Sequence, residues 1–191
     1  MDLNSKYPAI SDLRTKARKR IPHFAWEYLD SATGDESTLH RNRYSLDAIH
    51  FVPRGLRGEI KPQLATEFLG RSYSAPFGIA PVGMSGLMWP GAEKTLAGFA
   101  AGAKIPYGMS TVATTTPEDV APYLGDMGWF QMYPPRDEAI RNDMIQRVKN
   151  AGFTTLVVTI DVPAQSRRER QIRGGLVQPP RLTPRILAQV A

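Results

Sequence analysis

Two short apolar segments that each end in polar residues constrain the fold of this chain more than any other feature. Residues 128–133 read Gly-Trp-Phe-Gln-Met-Tyr, and residues 155–161 read Thr-Leu-Val-Val-Thr-Ile-Asp. Between them, residues 136–151 carry apolar side chains at the spacing of an amphipathic helix. A buried strand, a helix and a second buried strand in this order form the repeat of a parallel β/α protein.

The same alternation extends upstream of this repeat. Residues 75–81 and 106–109 read as short strands, and residues 91–103 and 116–124 read as helices. The pattern favours the (β/α)8 TIM-barrel class over an open doubly wound sheet, because no G-x-G-x-x-G turn follows the first strand. A closed barrel needs eight strands, whereas about four β/α units are visible, so we expect an incomplete barrel.

The remaining segments complete the predicted domain organisation. The opening of the chain reads as three helices, over residues 11–20, 23–32 and 36–49, with Ser11 as the cap of the first. We therefore expect three parts: a helical segment over residues 1–60, the first half of a barrel over residues 61–162, and the start of a mobile loop over residues 163–191.

Composition limits the classes of function. The 191 residues contain no cysteine, which excludes disulfides and thiolate metal sites and fits a cytoplasmic protein. Residues 1–6 lack the pattern of a secretory signal, and no apolar run is long enough to span a bilayer. The three histidines show neither metal-ligand nor triad spacing, so we predict no metal. The net charge of +6 is scattered, and we predict no nucleic-acid partner.

The residues at the predicted strand ends are candidates for holding a cofactor. A glycine at the first strand end lets a ligand approach the backbone closely. Hydroxyl and amide side chains at the following strand ends suit a planar heterocycle with alternating donors and acceptors. The alternative reading is ordinary turn and capping residues. The candidates are Pro81, Val82 and Gly83 at the first strand end, then Ser110 and Thr111, Gln131, and Thr159.

Four further residues are candidates for substrate chemistry. Asp161 follows an apolar run and needs a partner for its carboxylate, either an arginine in a salt bridge or a catalytic histidine that it orients. Arg168 offers a bidentate fork to a substrate carboxylate, or is a surface arginine. Tyr28 and Tyr133 can each present a phenol to a substrate oxygen, although core packing also explains Tyr28.

Together these residues resemble the FMN-dependent L-2-hydroxy acid dehydrogenase/oxidase family, which includes L-lactate dehydrogenase, mandelate dehydrogenase and glycolate oxidase. The resemblance runs over most of the chain, from residue 21 to residue 175. It is carried by Ile-Pro at 21–22, Thr-Leu-His-Arg-Asn at 38–42, Ile-Ala-Pro-Val-Gly-Met at 79–84, Met-Ser-Thr at 109–111, Trp-Phe-Gln-Met-Tyr at 129–133, Thr-Ile-Asp-Val-Pro at 159–163 and Arg-Arg-Glu at 167–169.

The resemblance implies a role for each candidate. The backbone at Pro81, Val82 and Gly83 would lie against the flavin N5 region. Polar side chains at the later strand ends would bond the isoalloxazine edge, and these are Ser110, Gln131 and Thr159. Asp161 would orient the base histidine. The substrate carboxylate and hydroxyl would be held by Tyr28, Tyr133 and Arg168.

Parts of the family pattern have no counterpart in this sequence. The catalytic histidine, the lysine beside flavin N1, a second substrate arginine and the phosphate-binding loops belong to the family's second half. We therefore expect the N-terminal half of an enzyme that oxidises an L-2-hydroxy acid to the 2-oxo acid, inactive by itself, with a complementary C-terminal half as a candidate partner. Gly83 and Val112 resemble the dehydrogenase members and favour L-lactate as substrate.

Some assignments stay open at this point. The electron acceptor is a quinone, a cytochrome or oxygen. Residues 178–191 match the start of a loop that contacts the membrane in some members, so peripheral contact with the inner face of the membrane is one alternative and a severed loop is the other. A non-catalytic half-barrel interaction module, or another FMN barrel enzyme such as a type 2 isopentenyl diphosphate isomerase, are the alternative functions.

Overall fold

The computed structural model of the protein describes residues 2–160, 164, 166–176 and 183–190. These residues divide into two compact units: a helical unit (residues 1–55 and 164–191) and a sheet unit (residues 56–163). The elements in chain order are α1 (Leu3–Lys6), α2 (Ile10–Arg18), α3 (His23–Asp30), α4 (Ser37–Asp47), β1 (Thr66–Phe68), β2 (Arg71–Tyr73), α5 (Ser85–Met88), α6 (Ala92–Ala103), β3 (Tyr107–Ser110), α7 (Pro117–Leu124), β4 (Gly128–Met132), α8 (Glu138–Asn150), β5 (Thr155–Val158), α9 (Glu169–Gly174) and α10 (Pro184–Val190).

The helical unit is organised around α3, which buries Phe24, Ala25 and Trp26 and packs against α9 and α10. The opening helices match the predicted ones, with shifted ends. The helix predicted to start at Ser11 is α2, and its cap lies two residues earlier than predicted, because Asp12 accepts a hydrogen bond from the Ala9 N–H at 3.0 Å and Ala9 takes the cap position. In the segment predicted as the start of a loop, the described residues include the two short helices α9 and α10.

The sheet unit begins with a hairpin that the sequence analysis did not predict. Strands β1 and β2 pair antiparallel, with Thr66 opposite Tyr73 and Phe68 opposite Arg71. The two residues between the strands, Leu69 and Gly70, both have positive φ, at 52° and 73°. Two consecutive left-handed residues are typical of the type I′ turn that closes a tight hairpin.

A parallel sheet follows, in the order β3-β4-β5. Ser110 lies opposite Gln131, and Met132 lies opposite Val158. The first predicted strand, residues 75–81, is reduced to one parallel bridge from Ile79 to Tyr107, with hydrogen bonds of 2.8 Å on either side of Ile79. Prolines at positions 76 and 81 lack the N–H that a longer ladder needs, which accounts for the shortening.

Successive side chains of the sheet point to opposite faces. On one face, Tyr107, Met109, Phe130 and Met132 are buried in a core that includes residues of α6, α7 and α8. Two of these helices have caps at boundaries that the sequence predicted, residue 116 for α7 and residue 151 for α8. Thr116 accepts a hydrogen bond from the Asp119 N–H at the start of α7, and α8 ends before Gly152, whose φ is +86°.

The other face of the sheet borders a cavity of about 430 Å3. Its walls are mainly apolar and include Phe68 and Tyr73 from the hairpin, together with Gly108, Trp129 and Val157 from the sheet. The Trp129 Nε1–H donates to the Tyr73 hydroxyl at 3.0 Å, so the hairpin is fixed against the sheet. Within the described part of the chain, no strand pairs with the outer edge of β5.

Candidate functional site

Three predicted cofactor residues form a continuous hydrogen-bonded row at the carboxyl ends of the parallel strands. The Ser110 hydroxyl donates to Gln131 Oε1 at 3.1 Å, and Gln131 Nε2 donates to Thr159 Oγ1 at 2.8 Å. Ser110 and Gln131 are each 5% exposed. Because the strands are parallel and in register, residues 21 and 28 positions apart along the chain become neighbours at one edge.

The row retains hydrogen-bonding capacity. The Ser110 oxygen also accepts from the Val112 N–H at 3.3 Å, so the Ser110 hydroxyl acts both as a donor and as an acceptor. The Thr159 O–H and the second Gln131 amide hydrogen are not used within the row. A hydroxyl, an amide and a hydroxyl in sequence offer donors and acceptors to the edge of a planar ring, so the side chains fit the heterocycle of a flavin.

Thr111 connects this row to Tyr133. Its hydroxyl donates to the Gln131 carbonyl at 2.6 Å and accepts from the Tyr133 N–H at 3.0 Å. The backbone of Tyr133 is thereby fixed immediately after β4, while its side chain is 45% exposed. The predicted substrate tyrosine therefore lies at the same end of the sheet as the row, with its ring accessible.

The predicted flavin-facing backbone also lies in the sheet unit, after the Ile79 bridge. Pro81 and Val82 are exposed and Gly83 is partly buried. The next residue, Met84, has a φ of 54° and donates its N–H to the Val112 carbonyl at 2.8 Å. This bond ties the loop after the first extended segment to the loop that follows β3.

Glu93 belongs to the same region and was missed by the sequence analysis. It is 1% exposed, in the first turn of α6. Its Oε1 accepts from the Gly86 N–H at 3.1 Å, the Thr114 N–H at 3.0 Å and the Thr114 hydroxyl at 2.8 Å. Burial raises the pKa of Glu93, but the bonds from Thr114, from its own amide and from Gly86 outweigh burial and hold the pKa below its ordinary value.

Two predicted substrate-binding residues meet in the helical unit. The guanidinium of Arg168 lies over the Tyr28 ring, 5.2 Å from its centroid. One of its nitrogens, Nη2, donates to the carbonyl oxygens of Tyr28 and Ser31, at the carboxyl end of α3. Carbonyls at a helix carboxyl end have no partner within the helix, and Arg168 supplies one.

A buried ion network lies beside this pair. Arg170 donates to Glu27 at 2.7 Å, to Asp30 at 3.0 Å and to Glu36 at 3.1 Å, and we call these four residues the Arg170 cluster. The carboxylate side chains are only 9–15% exposed. The hydrogen bond with Glu27 is the largest of the effects that raise the pKa of Arg170 above its ordinary value. The cluster joins α9 to α3, and so supports the placement of Arg168 next to Tyr28.

The structure thus brings the candidates together in two sets, one in each unit. Tyr28 and Arg168 are neighbours in the helical unit, and the other described candidates surround one end of the sheet. Asp161 lies outside the described residues. Among the residues that are described, no helix has the length and apolar character that crossing a membrane requires.

Comparison with known proteins identifies the family to which the chain is similar. The sequence profile of one family, described as FMN-dependent dehydrogenase, matches residues 17–191. An L-lactate dehydrogenase of Xanthomonas campestris pv. campestris (strain 8004) is 37% identical over 171 residues, which are 90% of this chain and 44% of that protein. A putative L-lactate dehydrogenase of Mycobacterium tuberculosis (strain ATCC 25618 / H37Rv) is 39% identical over 92% of this chain and 43% of that protein.

Solved structures show the same similarity in three dimensions. The monotopic membrane protein (S)-mandelate dehydrogenase has a TM-score of 0.85 and 32% identity, over 94% of this chain and 48% of that one. A mandelate oxidase has a TM-score of 0.83 and 32% identity, over 94% of this chain and 53% of that one. The fold is therefore of the α/β TIM-barrel class, and the chain spans about half the length of the proteins it matches. Since the family profile covers most of its sequence, this protein belongs to the family of FMN-dependent dehydrogenases.

Proposed function

We propose that this chain is the N-terminal half of an FMN-dependent oxidoreductase that oxidises an L-2-hydroxy acid, in the first place L-lactate, to the 2-oxo acid. The observation that carries the proposal is the row Ser110–Gln131–Thr159 at the strand ends of a chain in an FMN-dependent family. Relatives named L-lactate dehydrogenase support lactate as the substrate. Mandelate-oxidising structural neighbours support the wider class of 2-hydroxy acids.

The proposed cofactor residues are those of the sheet unit. Backbone atoms of Pro81, Val82 and Gly83 contact the flavin ring, and the free donors of the row bond its polar edge. Gly83 has no Cβ, which permits close approach of a flat ring. Bound FMN supplies the acceptor for the two electrons that leave the substrate. The row orients the ring, because each of its side chains is already held by a neighbour on the next strand.

The proposed substrate residues act through charge and hydrogen bonds. Arg168 binds the substrate carboxylate with Nε and Nη1, the nitrogens that do not bond α3, and its Nη2 contacts keep the guanidinium in one orientation. Tyr28 and Tyr133 bond the carboxylate and hydroxyl oxygens. Asp161 orients the histidine that takes the substrate proton, a residue that the family resemblance assigns to the second half of the enzyme.

The sheet unit supports the proposal that these residues form about four of the eight β/α units of a barrel. Three consecutive residues of β5, Leu156, Val157 and Val158, are 41%, 37% and 44% exposed. Apolar side chains on an unpaired parallel edge favour pairing with further strands. We propose a complementary C-terminal half as the partner that covers β5 and the cavity, and we expect negligible turnover from the 191 residues alone.

Contact with the inner face of the membrane is a further part of the proposal. Its support is that one structural neighbour is a monotopic membrane protein. The segment to which the sequence analysis assigned this contact, residues 178–191, is described only in part. The electron acceptor stays open between a quinone, a cytochrome and oxygen.

The test is the visible spectrum of the purified chain with FMN, before and after anaerobic addition of L-lactate. The same measurement is made on the chain co-expressed with the C-terminal half of the Xanthomonas relative. We expect flavin bands that lactate bleaches only in the co-expressed sample. Bleaching by the chain alone would refute the assignment of essential residues to a second half. No bleaching in either sample would contradict the proposed reaction.

A further inference from the structure

Glu93 is a buried carboxylate that accepts hydrogen bonds from two loops at once. Its Oε1 accepts from Gly86 in the loop of residues 81–88, and from both the N–H and the hydroxyl of Thr114 in the loop of residues 111–116. The Gly86 N–H lies in the first turn of α5, where no helical partner exists for it. Glu93 therefore satisfies donors that would otherwise be left unbonded next to the strand ends.

The two loops approach closely at this point. A Cβ built on Gly86 would collide with the Thr114 hydroxyl and would lie 3.1 Å from Glu93 Oε2. A second tie between the same loops is the bond from the Met84 N–H to the Val112 carbonyl, at 2.8 Å. Glycine at position 86 is thus required for the geometry in which one carboxylate contacts both loops.

We propose that Glu93 is a positioning residue of the flavin site, because its carboxylate fixes the loop that carries Gly83 relative to the loop that follows Ser110. The inference rests on the proposed function, which assigns both residues to the flavin. Three donors on one charged acceptor form bonds stronger than neutral ones, and a buried carboxylate has no competing water. A site for a flat ring tolerates displacements of only about 0.5 Å, which such a tie can maintain.

The experiment uses the full 191-residue chain and four variants. Glu93→Ala removes the acceptor, and Glu93→Gln keeps its shape without the charge. Gly86→Ala forces the loops apart while the carboxylate is still present. Glu118→Gln is the matched control, because Glu118 occupies the same position in the first turn of α7 but pairs with Arg147 at the surface. Amide hydrogen exchange at positions 86 and 114 is measured by NMR without flavin, and FMN affinity is measured by flavin fluorescence.

We expect exchange at both amides to be about tenfold faster in Glu93→Gln and about a hundredfold faster in Glu93→Ala, as for loss of hydrogen bonds to a charged group. Gly86→Ala should resemble Glu93→Gln, and FMN should bind more weakly in the same order. Glu118→Gln should match the unchanged chain in both measurements.

Different results separate this inference from the proposed function. Exchange in Glu93→Ala within about twofold of the unchanged chain would overturn the tie, since that change lies below the energy of one hydrogen bond. Faster exchange with an unchanged FMN dissociation constant would overturn the positioning role. If the unchanged chain binds no FMN by itself, FMN affinity is compared among the same variants co-expressed with the C-terminal half. Absence of FMN binding there, with exchange responding as expected, would support the tie and refute the proposed function. If Glu93→Ala does not fold, Glu93→Gln and Gly86→Ala decide by the same criteria.

Discussion

Replacement of Gln131 by leucine is the perturbation that most directly tests the row at the strand ends. Leucine is of similar size but cannot form hydrogen bonds, so it removes the bonds from the Ser110 hydroxyl at 3.1 Å and from the Thr111 N–H at 3.4 Å and the bond to Thr159 at 2.8 Å. The two shorter bonds contribute about 2 kcal/mol together. Because Ser110 is only 5% exposed, its hydroxyl cannot replace the lost acceptor with bulk water, and we expect little of this loss to be recovered.

The assay is urea unfolding followed by tryptophan fluorescence. With a denaturant dependence of about 2 kcal/mol per molar urea, a loss of this size lowers the midpoint by about 1 M. FMN affinity measured on the same protein should fall by about tenfold, since about 1.4 kcal/mol of bonding to the ring edge is lost.

Gln146→Leu serves as the matched control for this substitution. Gln146 lies on the exposed surface of α8, and its side chain donates to Asn150 in the same helix at 2.8 Å. We expect its change in stability to stay within about 0.5 kcal/mol. Equal urea midpoints for the two variants would refute the argument that the row stabilises the sheet. An FMN affinity equal to that of the unchanged chain would refute its assignment to the cofactor.

Three other predictions follow from the two units. Arg170→Met removes the cation that the three carboxylates of the Arg170 cluster share and should cost about 3 kcal/mol in urea unfolding, with Asp30 keeping its contact to Arg14 at 2.7 Å. Arg173→Met, at an arginine side chain that is 72% exposed, should change stability by less than about 1 kcal/mol. Gly108→Ala places a Cβ 2.8 Å from a ring atom of Pro81, so it should destabilise the chain by about 2 kcal/mol. Gly102→Ala in α6 meets no atom within 4 Å and should stabilise the chain by about 0.5 kcal/mol. A reversed order of the two variants in thermal melts would contradict the packing argument. A hydrogen bond from Arg147 of α8 lowers the pKa of Glu118 from 4.5 to about 2. The stabilisation of the folded chain by this pair is therefore complete above pH 4.5 and is lost as the pH falls towards 2. Glu118→Gln should therefore reduce stability by about 0.5 kcal/mol at pH 6 and by nothing near pH 2, and a pH-independent difference would exclude this pair as the cause.

The parts of the fold that could be predicted are those whose signals are local. The start of α7 at residue 116, the end of α8 at residue 151 and the strand β4 were predicted from a few neighbouring residues each. The alternation of strand and helix indicated the parallel class in the same way. Such signals act through backbone geometry within one turn or one strand, so the sequence order alone contains them.

The features that were missed depend on residues far apart in the chain. Glu93 looks like an ordinary acidic residue at a helix start, and only the packing of α6 brings Thr114, 21 positions away, onto its carboxylate. The Arg170 cluster joins residues 134–143 positions apart. The first predicted strand, with its two prolines, proved too poor in N–H donors to form more than a bridge.

The sequence by itself determined which polar groups lie at each strand end. The apolar runs define the strands, and the polar residues that follow each run can be read directly from the order of the chain. It therefore predicted Ser110, Gln131 and Thr159 as one group before any contact was known. Only the tertiary structure decided how these groups are used. Parallel register joins the three into one row, and long-range packing commits Arg168 to the end of α3 and Glu93 to two loops. The physical reason is that hydrogen bonds depend on distance and direction in space, and neither is specified by separation along the chain.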